Sequence, residues 1–301
     1  MYKKMVVLLD GSELAEVVFE YAQELSGRMH LDVELLHVCK PQEADQIPMR
    51  RAYMEHMAAA LCSKAEEIRR KYTKETVEQC IQARGNVVVG YPAEEILKYV
   101  DENDIDLVMM STHGGSGVKG WDLGDVANKV IHASKVPVWL VPTELREEVM
   151  ADMLPKRLLV VPLSGTKQSE AAVSHAVEIL RQRGAESKSE LVLLHVMEEP
   201  GVVMNWSAVT DFDAQRKKTS AYLEDLAEPI RASGLEVRTE VLSWGDPAKN
   251  VIDYLKDHPT QLLVMATTGK SRIKRTIFGS VTESMIHMVK VTPLLLVGGE
   301  D

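Results

Sequence analysis

The sequence carries one order of motifs twice, and this internal repeat restricts the fold more than any other feature. Leu35-Leu36-His37-Val38 returns residue for residue as Leu193-Leu194-His195-Val196. Gly90-Tyr91-Pro92-Ala93 returns as Gly245-Asp246-Pro247-Ala248, with its glycine, proline and alanine kept. A repeat at about half of the chain length predicts two tandem domains, because the units of a solenoid are much shorter.

The segment that joins the two copies is charged and ends in proline. We predict domains over residues 1–143 and 156–301, with 143–155 as a linker between them. Glu147, Glu148 and Asp152 are interpreted as solvated side chains of that linker.

Each copy alternates short apolar runs with stretches of helical spacing. In the first copy the predicted strands cover 5–9, 33–38, 87–89, 106–110 and 138–141, and the predicted helices include one over 54–71. Gly27 is predicted to end the first helix, since glycine is the usual residue after a helix. Alternation of this kind predicts an α/β fold in which each domain has a parallel sheet with helices on both faces.

Charge and hydropathy exclude several classes of protein. The formal charge of −10 argues against a nucleic-acid binder, because the phosphate backbone would be repelled. No apolar run approaches the ~18 residues that cross a bilayer, and the apolar stretch near Met1 is too short for a secretory signal. We therefore expect a cytoplasmic protein without a membrane partner.

The cysteines do not indicate a metal site. Cys39, Cys62 and Cys80 are odd in number and lack CxxC spacing. Free thiols are therefore expected, with neither a disulfide framework nor a zinc site. No other set of residues has the spacing of a metal-ligand cluster, so no metal is predicted in the protein itself.

The basic stretch 266–280 lies between an apolar run and a helical pattern, and it favours the binding of an anion. Gly269 allows a sharp turn after the predicted strand, and Gly279-Ser280 stands where the next helix begins with unpaired amide donors. A phosphate there would meet those donors, the helix dipole and positive charge. The alternative is a basic surface loop. The cations, with no acid among them, are Lys270, Arg272, Lys274 and Arg275.

These motifs together resemble the universal stress protein family in its tandem two-domain form. The resemblance rests on Leu-Leu-His-Val, on the Asp10-Gly11-Ser12 turn and on a loop that the family writes Gly-x2-Gly-x9-Gly-Ser/Thr. It covers nearly the whole chain. It implies Rossmann-like domains, each with five parallel strands in the order 3-2-1-4-5, and ATP or AMP at the carboxyl ends of the strands in some members only.

The first copy keeps this loop poorly. It reads Ser111-x2-Gly114-x9-Gly124-Asp125, so two of the four positions match. The resemblance implies that Asp10, Val38, Gly114 and Gly124 would be its nucleotide contacts. Asp125 would repel phosphate by about 4 kcal/mol at ~4 Å and an effective dielectric of about 20. We interpret Asp125 as a helix cap and expect this half to bind ATP weakly or not at all.

The second copy keeps the loop better, as Ala266-x2-Gly269-x9-Gly279-Ser280, with three of the four positions matching. Ser164 replaces the acid and offers a single hydroxyl, which recognises a sugar less strongly than a carboxylate does. The residues that the resemblance and the basic loop together imply as nucleotide contacts are Pro162, Ser164, Val196, Ala266, Gly269, Lys270, Arg272, Gly279, Ser280 and Val281.

We therefore expect a cytoplasmic stress-response protein that binds ATP or AMP, chiefly in the second domain, with Mg if the ligand is ATP. It would act as a sensor or regulator, and no catalytic residue is identified. His37 and His195 are interpreted as orienting the backbone or filling space. A scaffold without nucleotide, working through protein contacts, and a slow ATPase remain the alternatives. The apolar fifth strands predict that the two domains pair with each other, and a homodimer is also compatible with the sequence.

Overall fold

The computed structural model describes residues 2–72, 80–112, 123–142, 144–184, 187–197, 207–267 and 280–298. The chain forms two compact units. Unit 1 contains Met1–Met153 with Lys290–Leu296, and unit 2 contains Leu154–Val289 with Val297–Asp301. Within the described ranges, none of the helices combines the length and the apolar character needed to cross a bilayer.

The elements of the first sequence repeat alternate as predicted, with a short 3-10 helix, Pro41–Gln46, between β2 and α2. They are β1 (Lys4–Leu8), α1 (Glu13–Met29), β2 (Asp32–Cys39), α2 (Ile47–Tyr72), β3 (Ala83–Val89), α3 (Pro92–Glu102), β4 (Leu107–Ser111), α4 (Asp125–Ala133), β5 (Val138–Val141) and α5 (Glu147–Met150).

The second repeat follows the same order. Its elements are β6 (Arg157–Pro162), α6 (Lys167–Arg183), β7 (Ser189–Val196), α7 (Ser207–Ala232), β8 (Val237–Leu242), α8 (Pro247–Asp257), β9 (Thr260–Thr267), α9 (Ser280–Met288) and β10 (Leu294–Gly298).

The strand order confirms the predicted α/β topology. In the first repeat the order is β3-β2-β1-β4-β5, and in the second it is β8-β7-β6-β9-β10, so both read 3-2-1-4-5. β1 lies between two parallel partners, with Val7 opposite Leu35 of β2 and Met109 of β4. In unit 2, β6 likewise pairs in parallel with β7 and β9. Parallel pairing brings the carboxyl ends of neighbouring strands to one edge of the sheet, where open α/β sheets bind their ligands.

Strands β4 and β5 are buried along almost their whole length, which explains why they read as continuous apolar runs. All four residues of β5 are buried, and Trp139 is only 1% exposed. The Trp139 ring lies 6.0 Å from the ring of Tyr21 on α1, at a tilted angle. Side chains of this size contribute most of the apolar burial that stabilises such a core.

Gly27 does not end α1, so that prediction is wrong. The helix continues to Met29, and His30 forms its cap in the left-handed conformation, with φ of 54°. Gly27 is instead a point of close helix contact. A Cβ at this position would lie 2.7 Å from the carbonyl oxygen of Ala65 and 2.7 Å from Ile68, both on α2. Glycine is required here by packing between α1 and α2.

Asp152 is not a solvated linker residue, which corrects the sequence interpretation. It is 2% exposed and has a φ of 54°. Its Oδ2 lies 3.1 Å from Nη1 of Arg28 on α1. Arg28 also pairs with Glu24 at 2.7 Å and stacks over the Tyr72 ring, 3.2 Å from the ring centre. The short helix α5 and the residues after it are therefore fixed to unit 1.

Candidate functional site

The turn after β1 holds the Asp10 carboxylate in place. Asp10 Oδ1 accepts hydrogen bonds from the Ser12 amide at 3.0 Å and from the Ser12 hydroxyl at 2.6 Å. Gly11, with φ of +81°, supplies the left-handed conformation that the turn requires. Asp10 itself is exposed. The turn therefore presents a fixed acidic acceptor at the carboxyl end of β1.

His37 fixes the neighbouring strand end, which confirms its predicted role in orienting the backbone. Its Nδ1 lies 2.7 Å from the carbonyl oxygen of Leu9, and the ring is buried. A carbonyl oxygen can only accept, so Nδ1 is the donor. Val38, one of the predicted nucleotide contacts, follows directly and is half-buried.

The start of α4 corrects the interpretation of Asp125. Gly124 is the residue before the helix, with φ of −58° and ψ of 145°, and its carbonyl accepts the Asn128 amide at 2.9 Å. Asp125 is the first helical residue and is therefore not the cap. Its charge in the first turn is still favourable to the helix dipole. Gly114, the other predicted contact of this loop, lies outside the described residues.

The turn after β6 has the same backbone form as the turn after β1. The Leu163 amide donates to Leu194 O at 2.8 Å, and the corresponding bond from Leu9 to Leu36 measures 3.0 Å. Gly165 has φ of +79°. The structure thus places Ser164 where the first repeat has its acid, as the sequence alignment of the two copies predicted.

Ser164 belongs to a small hydroxyl network that the sequence interpretation missed. Its Oγ lies 2.9 Å from Thr166 Oγ1, and its amide donates to Ser169 Oγ at 3.2 Å. Thr166 also caps α6 by accepting the Ser169 amide. A Thr-x-x-Ser pattern at the start of a helix could have indicated this cap. The network offers several hydroxyl groups to a polar ligand in place of one carboxylate.

The end of β9 is tied to the helix that follows the glycine loop. The Thr282 hydroxyl on α9 donates to Ala266 O at 3.3 Å, and the Thr267 hydroxyl donates to Val297 O at 3.0 Å. α9 begins at Ser280, and Val281 follows in its first turn, in agreement with the predicted helix start. Thr282 was not among the predicted residues, because a threonine inside a helix carries no binding signature by itself.

The described part of the second site comes from neighbouring strand ends. Pro162 is the last residue of β6, Val196 the last of β7, and Ala266 lies one residue before the end of β9. Ser164 follows β6 in the connecting turn. Four further predicted residues, namely Gly269, Lys270, Arg272 and Gly279, lie outside the described residues.

Arg50 is a charged residue at the first site that the sequence did not reveal. A Cβ placed on Gly11 would lie 2.6 Å from Nη1 of Arg50. The same guanidinium acts on Cys39 at the end of β2: burial raises the pKa of this thiol, and the positive charge of Arg50 opposes the rise. Thirty-nine positions separate Gly11 from Arg50, so only the folded chain brings them together.

An open hollow on the surface of α2 lies away from the strand ends. It measures about 520 Å³ and is lined by Cys62, Ser63, Glu66, Glu67 and Arg70 of α2. All five residues lie on one helix, and the hollow opens to solvent. We therefore assign the candidate site by the strand ends and their turns, and the α2 hollow has no part in it.

Comparison with known proteins agrees with the fold. The sequence model of the universal stress protein family matches residues 1–142 and 156–298. Universal stress protein MJ0577 of Methanocaldococcus jannaschii is 29% identical over 157 residues, which cover 47% of this chain and 95% of that protein. Universal stress protein Mb2028c of Mycobacterium bovis is 21% identical over 306 residues, covering 95% of this chain and 94% of that protein.

A solved structure shows the same fold over the full length. The crystal structure of a universal stress protein from Archaeoglobus fulgidus DSM 4304 covers 98% of each chain with a TM-score of 0.66 and 23% identity. The family model matches both halves, and the repeated turns and strand order account for that double match. The chain therefore belongs to the universal stress protein family, in the form with two tandem domains.

Proposed function

We propose that this protein binds an adenine nucleotide, chiefly in its second domain, and works in the cytoplasm as a stress-response sensor or regulator. The proposal rests on the positions of four predicted residues at or next to the carboxyl ends of β6, β7 and β9, which are neighbours in the sheet. They are Pro162, Ser164, Val196 and Ala266. This edge of an α/β sheet is where nucleotides bind in related architectures. ATP would bring Mg²⁺ with it, and AMP would not need the ion.

Charge favours the second domain over the first. The segment 269–280 carries four cations and no acid, whereas 115–125 carries one lysine and two aspartates. Backbone donors are available at both helix starts, so this charge difference decides which site holds several phosphates. A triphosphate should therefore bind at the second site first.

The test is ATP binding to the full chain by equilibrium dialysis, with and without Mg²⁺. We expect wild-type protein to bind, and Ser280→Asp to weaken binding about 1000-fold, from roughly 4 kcal/mol of repulsion at ~4 Å. Gly279→Asp tests the same loop independently. Asp125→Ser is the matched change in the first domain and should strengthen binding there.

Two results would contradict the proposal. Wild-type protein that binds neither ATP nor AMP would favour the scaffold alternative, which acts through protein contacts. One ATP per chain that survives Ser280→Asp and is lost in Asp10→Ala would place the main site in the first domain. Phosphate release measured in the same samples would show whether any hydrolysis accompanies binding.

A further inference from the structure

Two cysteines of unit 1, Cys62 and Cys80, are brought to one place by the fold. Both are free thiols. The Cys62 side chain on α2 reaches the segment before β3, where its thiol donates to Ile81 O at 3.1 Å. Cys80 directly precedes Ile81 in the sequence. The thiol of Cys62 therefore lies against the backbone next to Cys80.

The segment that carries Cys80 is held on α2 and β2 by further contacts. The Ile81 amide donates to Glu66 Oε1 on α2 at 2.7 Å, and the Gln82 amide donates to Asp32 Oδ1 on β2 at 2.8 Å. The Ile81 side chain is completely buried. The native packing of unit 1 therefore fixes the backbone after Cys80 against α2.

The two thiols differ in exposure. Cys80 is exposed, whereas Cys62 is half-buried and lines the open hollow on α2. Burial raises the pKa of the Cys62 thiol, and the charges of Glu66, Cys80 and Asp32 raise it further. Because Cys80 acts on this pKa, the two side chains are within electrostatic reach of each other. Cys62 stays protonated near neutral pH, and the exposed Cys80 is the thiol that meets a dissolved oxidant first.

We propose that Cys62 and Cys80 form a reversible disulfide when the protein meets hydrogen peroxide. The Cys80 sulfur attacks one peroxide oxygen, the O–O bond breaks, and Cys80 becomes a sulfenic acid with release of one water. The Cys62 sulfur then attacks the sulfenic sulfur, the S–O bond breaks, and a second water leaves. Each thiol gives up one proton, and the two electrons lost by the sulfurs reduce one peroxide molecule to two waters.

This modification belongs to the first sequence repeat and lies away from the candidate site. The remaining cysteine, Cys39, is 0% exposed, and the second repeat contains no cysteine. Cys80 comes shortly before the first residue of β3, so the disulfide would join α2 to the amino end of that strand. The candidate site is at the carboxyl ends of the strands. The inference therefore does not depend on the proposed nucleotide binding.

The test uses the full reduced chain, treated with hydrogen peroxide, alkylated, and digested with trypsin without reduction. Trypsin cuts after lysine and arginine except before proline, which places Cys62 in peptide 52–64, Cys80 in 75–84 and Cys39 in 29–50. Mass spectrometry should find peptides 52–64 and 75–84 joined by one disulfide, with Cys39 alkylated. The count of free thiols should fall from three to one, and dithiothreitol should restore it. The oxidised protein should also show an upward shift in Tm, because the cross-link restricts the unfolded chain.

Variants that each lack one cysteine provide the controls. Cys39→Ser should form the disulfide as wild type does. Cys62→Ser should form no disulfide within the chain and should leave Cys80 as a sulfenic acid that dimedone traps. Cys80→Ser should keep both of its remaining thiols. The inference is overturned if wild-type protein keeps all three thiols, if Cys80 is oxidised without a bond to Cys62, or if the disulfide joins Cys80 of two chains.

Discussion

Glu66 provides the sharpest test of the buried polar contacts that stabilise unit 1. This carboxylate is on α2 and has partners on both of its oxygens. Oε1 accepts the Ile81 amide at 2.7 Å, and Oε2 accepts Nη2 and Nε of Arg69 at 2.7 and 3.1 Å. The side chains of Glu66 and Arg69 are each 10% exposed. Glu66→Ala would leave a buried cation and a buried amide without acceptors.

The expected loss of stability in Glu66→Ala follows from the burial of the ion pair. Breaking a buried ion pair by removing one partner costs about 3–5 kcal/mol, a large share of the ~5–15 kcal/mol that stabilises a typical domain. Glu67→Ala is the matched control, because Glu67 pairs with Lys64 at 3.0 Å on the same helix with side chains 71% and 49% exposed. Loss of such an exposed pair should cost under about 1 kcal/mol.

The contribution of Glu66 to stability depends on pH in a definite direction. Burial alone would raise the pKa of Glu66, but the hydrogen bonds from Arg69 and the Ile81 amide outweigh it, so the pKa lies below its ordinary value of 4.5. The charged form therefore stabilises the folded chain above pH 4.5. This contribution is lost as the pH falls through the lowered pKa. The stability difference between wild type and Glu66→Ala should be largest near neutral pH and shrink in acid.

Urea denaturation followed by circular dichroism measures the free energy of unfolding, and hydrogen exchange at the Ile81 amide reports the local contact. We expect Glu66→Ala to lower the free energy of unfolding and to accelerate hydrogen exchange at the Ile81 amide. Glu67→Ala should remain close to wild type in both measurements. Equal losses in the two variants, or a difference that stays constant from neutral to acidic pH, would refute the reasoning.

Three smaller changes test other contacts. Gly27→Ala should destabilise unit 1 by about 1–3 kcal/mol in urea denaturation, since the methyl would lie 2.7 Å from Ala65 O; a stabilised variant would mean that α1 and α2 can separate. Asp246→Ala should cost about 1 kcal/mol in thermal unfolding because the Lys249 amide loses its side-chain acceptor at 2.8 Å, and an unchanged Tm would disprove this. Burial raises the pKa of Tyr99 to about 12, so Tyr99→Phe should remove a late-titrating phenol from an ultraviolet absorbance titration.

Much of the fold could be predicted because its signals are local. Apolar runs such as 107–110 are buried on both faces and read as strands, and the repeated Leu-Leu-His-Val motif identified two equivalent domains. His37 could be interpreted correctly because its neighbours in sequence already placed it at a strand end. The positions of Asp10 and Ser164 followed from the same repeat.

The errors concern contacts between distant segments. Gly27 carries the usual signal of a helix end, and only the approach of α2 explains why the helix continues. Arg50 has no motif around it, and its closeness to Gly11 depends on the path of the chain through the 3-10 helix and α2. The frequency of aspartate at helix caps predicts Asp125 as the cap, but Gly124 holds that position.

The contact between Arg28 and Asp152 decides where the first domain can be cut. A fragment ended at Pro142, where the first match to the family model ends, would lack Asp152 while keeping Arg28, whose side chain is 7% exposed. Such a fragment would retain Glu24 as the partner of Arg28 but lose the buried carboxylate at 3.1 Å. A fragment extended to Met153 keeps both carboxylates. Anyone who expresses the first domain alone should therefore choose the later end point.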